Sequence, residues 1–377
     1  MWRIMQGVKQ VLCLVRAGVF GLVLLLVTTV ATAAGISDYW HYDEYYRQHP
    51  EQRPWLAELT EAVRQRAEPV EADLQARPLR IAMVYPSLQA SSYWPDSERA
   101  LQQRLNQLGI RYHLEARYTE PNIQLVEQVN QIRELLDWQP DYLLYTLDSS
   151  RQQSIIERLI QNTDTRLILQ NITTPLKAWG DRQPHMYVGF DHAEGARLLA
   201  DHFGKRFPQG ADYGVLFRSQ GLISQLRGMT YIQSVPESHR LRSSYYTDSS
   251  RVGGRKAALQ MLREHPELDY IYACSTDVAL GAVDALAELG RADVVVNGWG
   301  GSPAEIEQLR LGGLKAVLMR MNDDNAIAIA EAIKRDLEGK PQPLIYSSDF
   351  VVLDDSMSVE EIQAYEALAR RYSAGGY

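Results

Sequence analysis

Between Leu79 and Arg320 short apolar runs of strand length alternate repeatedly with segments of helical spacing, and that alternation constrains the fold more than any other feature. LRIAMVYP (Leu79–Pro86), DYLLYTLD (Asp141–Asp148), RLILQN (Arg166–Asn171) and MYVGF (Met186–Phe190) carry no polar alternation, as expected of strands covered on both faces. Between them stand helical patterns, such as Leu101, Leu105 and Leu108 with Gly109 as stop, or Val126, Val129, Ile132 and Leu136. A second series starts at Ala193 and continues through YGVLFRS (Tyr213–Ser219). Strand and helix in alternation imply parallel sheets joined by right-handed crossovers. The fold class is therefore α/β, with two Rossmann-like, doubly wound, parallel-sheet lobes.

Segments ahead of this pattern are of another kind. Arg3, Lys9 and Arg16 precede the apolar stretch Ala17–Val30, and Ala31-Thr32-Ala33 is a small-residue cleavage site, so residues 1–33 are expected to be an export signal cut after Ala33. Its removal leaves 344 residues, enough for two filled cores, and shifts the formal charge from −8 to −11. That charge argues against nucleic acid or an anionic membrane surface as partner. Cys13 leaves with the signal, and Cys274 in the apolar run YIYAC is expected to be a buried, inert thiol. Residues 34–76, rich in aromatic and charged side chains, are expected to form a helical extension ahead of the core.

Catalytic signatures are missing. The histidines show no HxH or HExxH spacing, no cysteine pair can hold zinc, and no GxSxG, GxGxxG or phosphate-loop motif occurs. His192, where a strand hands over to a helix, is expected to cap or hydrogen-bond locally. The chain is accordingly read as a binding protein and not an enzyme, without metal.

Candidate ligand residues fall at one end of the expected strands. Thr276, Asp277, Trp299 and Arg320 follow successive strands of the stretch Tyr270–Met321; Gln89, Ser91 and Trp94 lie in the loop after the first strand, Asn171 ends RLILQN, and Arg227 sits early in a helix just beyond a strand. Ligands of open α/β sheets bind outside the carboxyl ends of strands. Amide, hydroxyl and carboxylate groups suit a polyol, and Trp94 and Trp299 suit the faces of a small ring. Two arginines in a closed cleft need anions. Asp277 could neutralise one, so the other calls for a negatively charged ligand.

The strings VGFDHAEGARLLADHFGK, YACSTDVALGAVDALAELGRADVVVNGWGG and LRLGGLKAVLMRMNDDNAIAIAEAIK resemble the type I periplasmic binding proteins of the ribose and galactose class, over nearly all of the chain past residue 33. QASSYW, LILQNITTP, ISQLRG, NGWGG and MRMNDD are similar to the branch of that family that receives the quorum-sensing signal autoinducer-2. The resemblance implies the type I periplasmic binding protein fold with a three-crossing hinge, placed near Val188–Asp191, Met319–Asp323 and Tyr346–Phe350. The first lobe would comprise 77–189 plus 321–347 and the second 190–320 plus 348–377. It implies that Gln89, Ser91, Trp94, Asn171, Arg227, Thr276, Asp277, Trp299 and Arg320 hold the furanosyl borate diester form of autoinducer-2, with the arginines offsetting the borate charge. No cofactor is implied apart from borate, which is part of the ligand. The implied partner is the periplasmic domain of a membrane-bound hybrid sensor kinase, and the implied place is the periplasm. A sugar-binding component of an importer shares the fold and is the alternative; a secreted glycoside hydrolase would need a carboxylate pair that cannot be assigned. The extension, the SSYYTDSSRVGGRK region and the tail past Phe350 resemble the family least.

Overall fold

The computed structural model describes residues 36–86, 91–120 and 124–374; the expected export signal and Gln89 lie outside them. Among the described residues twelve strands follow in chain order: β1 (Leu79–Tyr85), β2 (Tyr112–Tyr118), β3 (Tyr142–Tyr145), β4 (Arg166–Gln170), β5 (Met186–Gly189), β6 (Asp212–Phe217), β7 (Arg240–Tyr246), β8 (Tyr270–Ala273), β9 (Val295–Gly300), β10 (Ala316–Arg320), β11 (Ile345–Ser347) and β12 (Phe350–Asp354). They form two six-stranded sheets, β11-β5-β4-β3-β1-β2 and β12-β10-β9-β8-β6-β7. Helices flank both, giving two α/β lobes. Central strands are buried but for Arg80 in β1 and Arg166 at the start of β4, whereas the edge strands β2 and β7 alternate or lie exposed, as one-sided cover dictates.

One pairing departs from the parallel rule. β12 runs antiparallel to β10. A parallel neighbour needs a crossover of a dozen residues or more, and only Ser348 and Asp349 separate β11 from β12, so the chain re-enters the second sheet from the hinge end. The chain passes between lobes at Phe190–Asp191, at Met321 and at Ser348–Asp349. These crossings are tied side by side: Ser348 N–H donates to Gly189 O at 2.9 Å, Met321 N–H to Asp349 O at 3.1 Å, and Asp191 N–H to Ser347 Oγ at 3.0 Å.

Three details differ from the sequence expectations. The helix Leu125–Asp137 buries Gln128, Gln131, Ile132 and Leu135 and leaves Val126 76% exposed. A polar network turns that face inward, with Tyr145 Oη donating to Gln128 Oε1 at 2.7 Å and Gln128 Nε2 to Thr119 Oγ1 at 2.9 Å. The extension does not merely precede the core. Leu59 and Val63, on the helix Arg53–Arg64, and Tyr39, Tyr45 and Tyr46 are buried members of the first lobe's apolar clusters. The end of the chain is shared between lobes. The helix Val359–Ala369 buries Ile362 and Ala369 in the second lobe, but Tyr372 and Ser373 donate their backbone N–H groups to Asp323 Oδ2 in the first, at 2.6 and 2.8 Å.

Candidate binding cleft

Between the carboxyl ends of the two sheets lies a cleft with about 650 Å³ of space unfilled by protein, its mouth included. Eight of the nine residues singled out from the sequence line it: Ser91, Trp94, Asn171, Arg227, Thr276, Asp277, Trp299 and Arg320. Gln89 is the ninth, outside the described residues. The sheets explain the convergence, since strand order reverses beside β1 and β3 in one lobe and beside β6 and β8 in the other, and loops diverge at such points to leave a crevice.

Local structure then fixes each group. Trp94 stands in the first turn of the helix Tyr93–Gln107, packed against Tyr85 with ring centroids 4.5 Å apart. Asn171 holds a left-handed conformation (φ 66°), which asparagine tolerates better than other side chains, and its Oδ1 is buried with no protein partner among the described residues. Thr276 Oγ1 lies 3.0 Å from Trp299 O and 3.1 Å from Glu305 Oε2. The buried Glu305 carboxylate also accepts from Trp299 N–H at 2.6 Å and Ser302 N–H at 2.9 Å, clamping the turn after β9. That turn needs glycine at Gly301 (φ 75°), where a Cβ would also press on Met319.

Arginine dominates the electrostatics. Arg227 is buried, with Nη1 donating to Cys274 O at 2.8 Å and its guanidinium 4.7 Å from the Trp299 ring centre. Trp299 therefore backs an arginine as well as lining the cleft. Arg320 is equally buried, 4.5 Å from the Tyr93 ring centre, with Nη2 only 3.5 Å from Ser91 Oγ and Nε without a partner among the described residues. Burial, followed by the charges of Arg320 and Arg218, pushes Arg227 well below its usual pKa; burial lowers Arg320, against the pull of Tyr93 and Glu305. Guanidinium does not give up its proton in proteins, so these shifts mark two desolvated cations, with an added positive potential at Arg227, that an anion would relieve. Ser275 Oγ and Trp299 Nε1 are further buried polar atoms without a partner among the described residues.

The sequence reading missed Thr146, Asp148, Arg218 and Ser275, which also line the cleft. Asp148 and Arg218 form a 2.6 Å ion pair across it from opposite lobes. Both stand just past a strand end, the signal used for the others, but a lone Asp or Arg there is common in turns. Cys274 is fully buried, its thiol pushed up to about 12 by burial.

His192 does more than the local bonding expected of it. Asp191 is the helix cap, accepting from Ala193 N–H at 3.0 Å, while His192 is buried between lobes with Nε2 3.0 Å from Asn171 O and Nδ1 3.4 Å from Arg227 Nε. Nε2–H must donate to the carbonyl, leaving Nδ1 to accept from arginine, so the ring is neutral. Burial, then Arg227, drives its pKa well below 6.5. A histidine so lowered takes up a proton on unfolding, so its contribution to stability is complete above about pH 6.5 and falls away as pH drops below that value. His185 and His202, also lowered by burial, act in the same direction. His192→Asn is expected to flatten the fall of stability between about pH 6.5 and 5 by up to about 1.4 kcal/mol per pH unit, the slope of one proton. Denaturant titrations across that range check it; an unchanged slope would show that His192 does not titrate on unfolding.

Residues 81–341 match the family described as periplasmic binding protein domain. The ribose import binding protein RbsB of Salmonella typhimurium is 26% identical over 169 residues, 43% of this chain and 56% of that protein, so the chain spans about half the length of that relative. A D-ribose/D-allose-binding protein of Pseudomonas aeruginosa is 22% identical over 265 residues, covering 70% of this chain and 79% of its own. Among solved structures, a periplasmic solute-binding protein of Actinobacillus succinogenes with bound D-allose superposes with a TM-score of 0.66 at 20% identity, over 77% of this chain and all of that one. The fructose-binding periplasmic domain of a hybrid two-component system matches with a TM-score of 0.66 at 17% identity, over 78% and 99%.

Proposed function

The chain belongs to the periplasmic binding protein family, and from that premise we propose that it is a quorum-sensing receptor of the LuxP type, binding autoinducer-2 as its furanosyl borate diester in the interlobe cleft. The observation that carries the reading is the pair of buried arginines, Arg227 and Arg320, both held below the usual arginine range first by burial and, at Arg227, next by the positive potential of neighbouring arginines, with Arg320 Nε lacking a partner among the described residues. A neutral sugar would leave that potential unrelieved; a tetrahedral borate would offset it. Asn171, Ser275 and Thr276 supply groups for the hydroxyls, and Trp94 a plate for the ring. No chemistry on the ligand is required of the site, and borate enters only as part of the ligand.

Occupancy is then reported to a partner, the periplasmic domain of a membrane-bound hybrid sensor kinase. A hinge built from three short crossings lets ligand select the closed arrangement, and closure alters the outer surface. Membership of the family supports a periplasmic location, and among the described residues no helix is long and apolar enough to cross a membrane. Residues 1–33 supply the export signal in this reading. The ribose-binding relatives support the alternative, a ribose- or galactose-type component of an importer.

Isothermal titration of protein stripped of ligand by unfolding and refolding separates the two. Autoinducer-2 precursor is expected to bind tightly in borate-containing buffer and much more weakly in borate-free buffer, with ribose weak in both. Tight, borate-independent binding of ribose would move the protein to the transport class.

A further inference from the structure

Asp148 follows β3 in the first lobe, yet its carboxylate bonds to the second. Oδ2 lies 2.6 Å from Arg218 Nη1, Oδ1 accepts from Ile223 N–H at 3.0 Å, and the backbone carbonyl of Asp148 accepts from Leu222 N–H at 3.1 Å. Leu222 and Ile223 open the helix Leu222–Ser234, which carries Arg227. The residue at that helix's own cap position is Gly221, which has no side chain to offer. The first N–H groups of a helix have no partner within it, and a carboxylate there is favoured by the helix dipole. The cap of a second-lobe helix is thus supplied by the first lobe. Gln152 Oε1 accepts from Asp148 N–H at 2.8 Å and holds the residue in place. The approach is close enough that a Cβ on Gly221 would overlap Asp148 O and stand 2.7 Å from Oδ1. Leu222 and Leu226 fall in one apolar cluster with Leu147 of the first lobe, which shields these bonds from water.

We propose that Asp148 is the closing latch of the cleft, a positioning residue that sets the closed population by capping, from the opposite lobe, the helix that presents Arg227. All three bonds exist only while the lobes are together; separation uncaps the helix and leaves Arg218 unpaired. Apparent affinity scales with the fraction of molecules in the competent state, so the latch tunes affinity through Arg227's helix, in addition to any contact Asp148 makes with the ligand as a cleft-lining residue. Only this effect on affinity rests on the receptor reading; the closure itself does not.

Small-angle X-ray scattering on ligand-free protein tests it, with Asp148→Ala, which removes the side-chain cap and the ion pair, and Gly221→Ala, which removes no polar group and wedges the lobes. The wild-type curve is expected to fit the closed arrangement, and both variants to show a larger radius of gyration. With autoinducer-2 in borate, each variant should bind about five- to tenfold more weakly, the loss typical of a helix cap, and return to the wild-type curve at saturation. Variants as compact as wild type without ligand, or a wild type as open as the variants, would overturn the latch. Should Asp148→Ala fail to fold, Gly221→Ala gives the same decision from the other lobe. Because scattering is read without ligand, failure of autoinducer-2 to bind wild-type protein would refute the receptor reading and leave the latch standing.

Discussion

Replacing Arg320 or Arg227 by methionine is expected to weaken binding of the borate diester by about 2–4 kcal/mol, roughly thirty- to a thousandfold. Methionine keeps the length of the side chain and its contact with the ring beneath while removing the charge. Arg227 already directs Nη1 to Cys274 O and Nε to His192, whereas Arg320 has an unpartnered Nε and a marginal contact to Ser91, so Arg320 has more donors left for a ligand. The larger loss should fall at Arg320. Lysine there should recover part of it, supplying the charge without the planar fork. Titration calorimetry in borate buffer gives the values. Unchanged affinity in both methionine variants would sink the argument that the ligand is an anion.

The largest effect on stability is expected at Arg104. Arg104 is 1% exposed, and its guanidinium meets four residues from three separate parts of the chain. Nε donates to Glu331 Oε1 at 2.7 Å on the helix Asn322–Leu337, Nη2 to Ala62 O at 2.8 Å and Nη1 to Gln65 O at 3.1 Å at the end of the extension's helix, and Nη1 again to Tyr372 Oη at 2.6 Å in the tail. A cation at a helix carboxyl end also complements the dipole. Burial raises the Glu331 pKa and Arg104 pulls it back, so removal of the arginine strands a buried acid. Arg104→Met is expected to cost about 3–5 kcal/mol and to lower the melting temperature by on the order of 10 °C. Arg104→Met with Glu331→Leu should regain most of that loss, because a buried pair is costly to break and cheap to replace whole. A double variant no more stable than the single one would place the effect in the carbonyl contacts and not in the pair.

Much of the cleft was legible because its residues lie at strand ends, and strands buried on both faces stand out as uninterrupted apolar runs. Thr276, Trp299 and Arg320 needed only that rule. Asp148 and Arg218 obey it too, but their meaning comes from meeting each other across the lobes, 70 residues apart, which no local pattern encodes. The expectation that Asp277 would offset an arginine named a carboxylate without knowing of this pair. His192 was given a local role because sequence shows its neighbours and not Asn171 O, 21 residues away across the hinge. Asp323 and Asp324 stand in the first turn of the helix Asn322–Leu337, as the dipole favours, but they are buried and also anchor the tail: Arg371 pairs with Asp324, and Asp323 accepts from two backbone N–H groups. The extension was expected only to stand ahead of the core, yet Tyr46 Oη reaches the carbonyl of Ile345 in β11.

Gathering Arg227 and Arg320 at one end of two sheets, with Arg218 already paired to Asp148, also bears on discrimination. A cleft that merely fitted a sugar ring would admit the many neutral sugars of its size. On the receptor reading, a neutral occupant would displace water from Arg227 and Arg320 and leave their charges facing one another, an expense that an anion avoids. Such a site selects by penalising the wrong guest, and the same charges that exclude it are a standing strain on the empty fold.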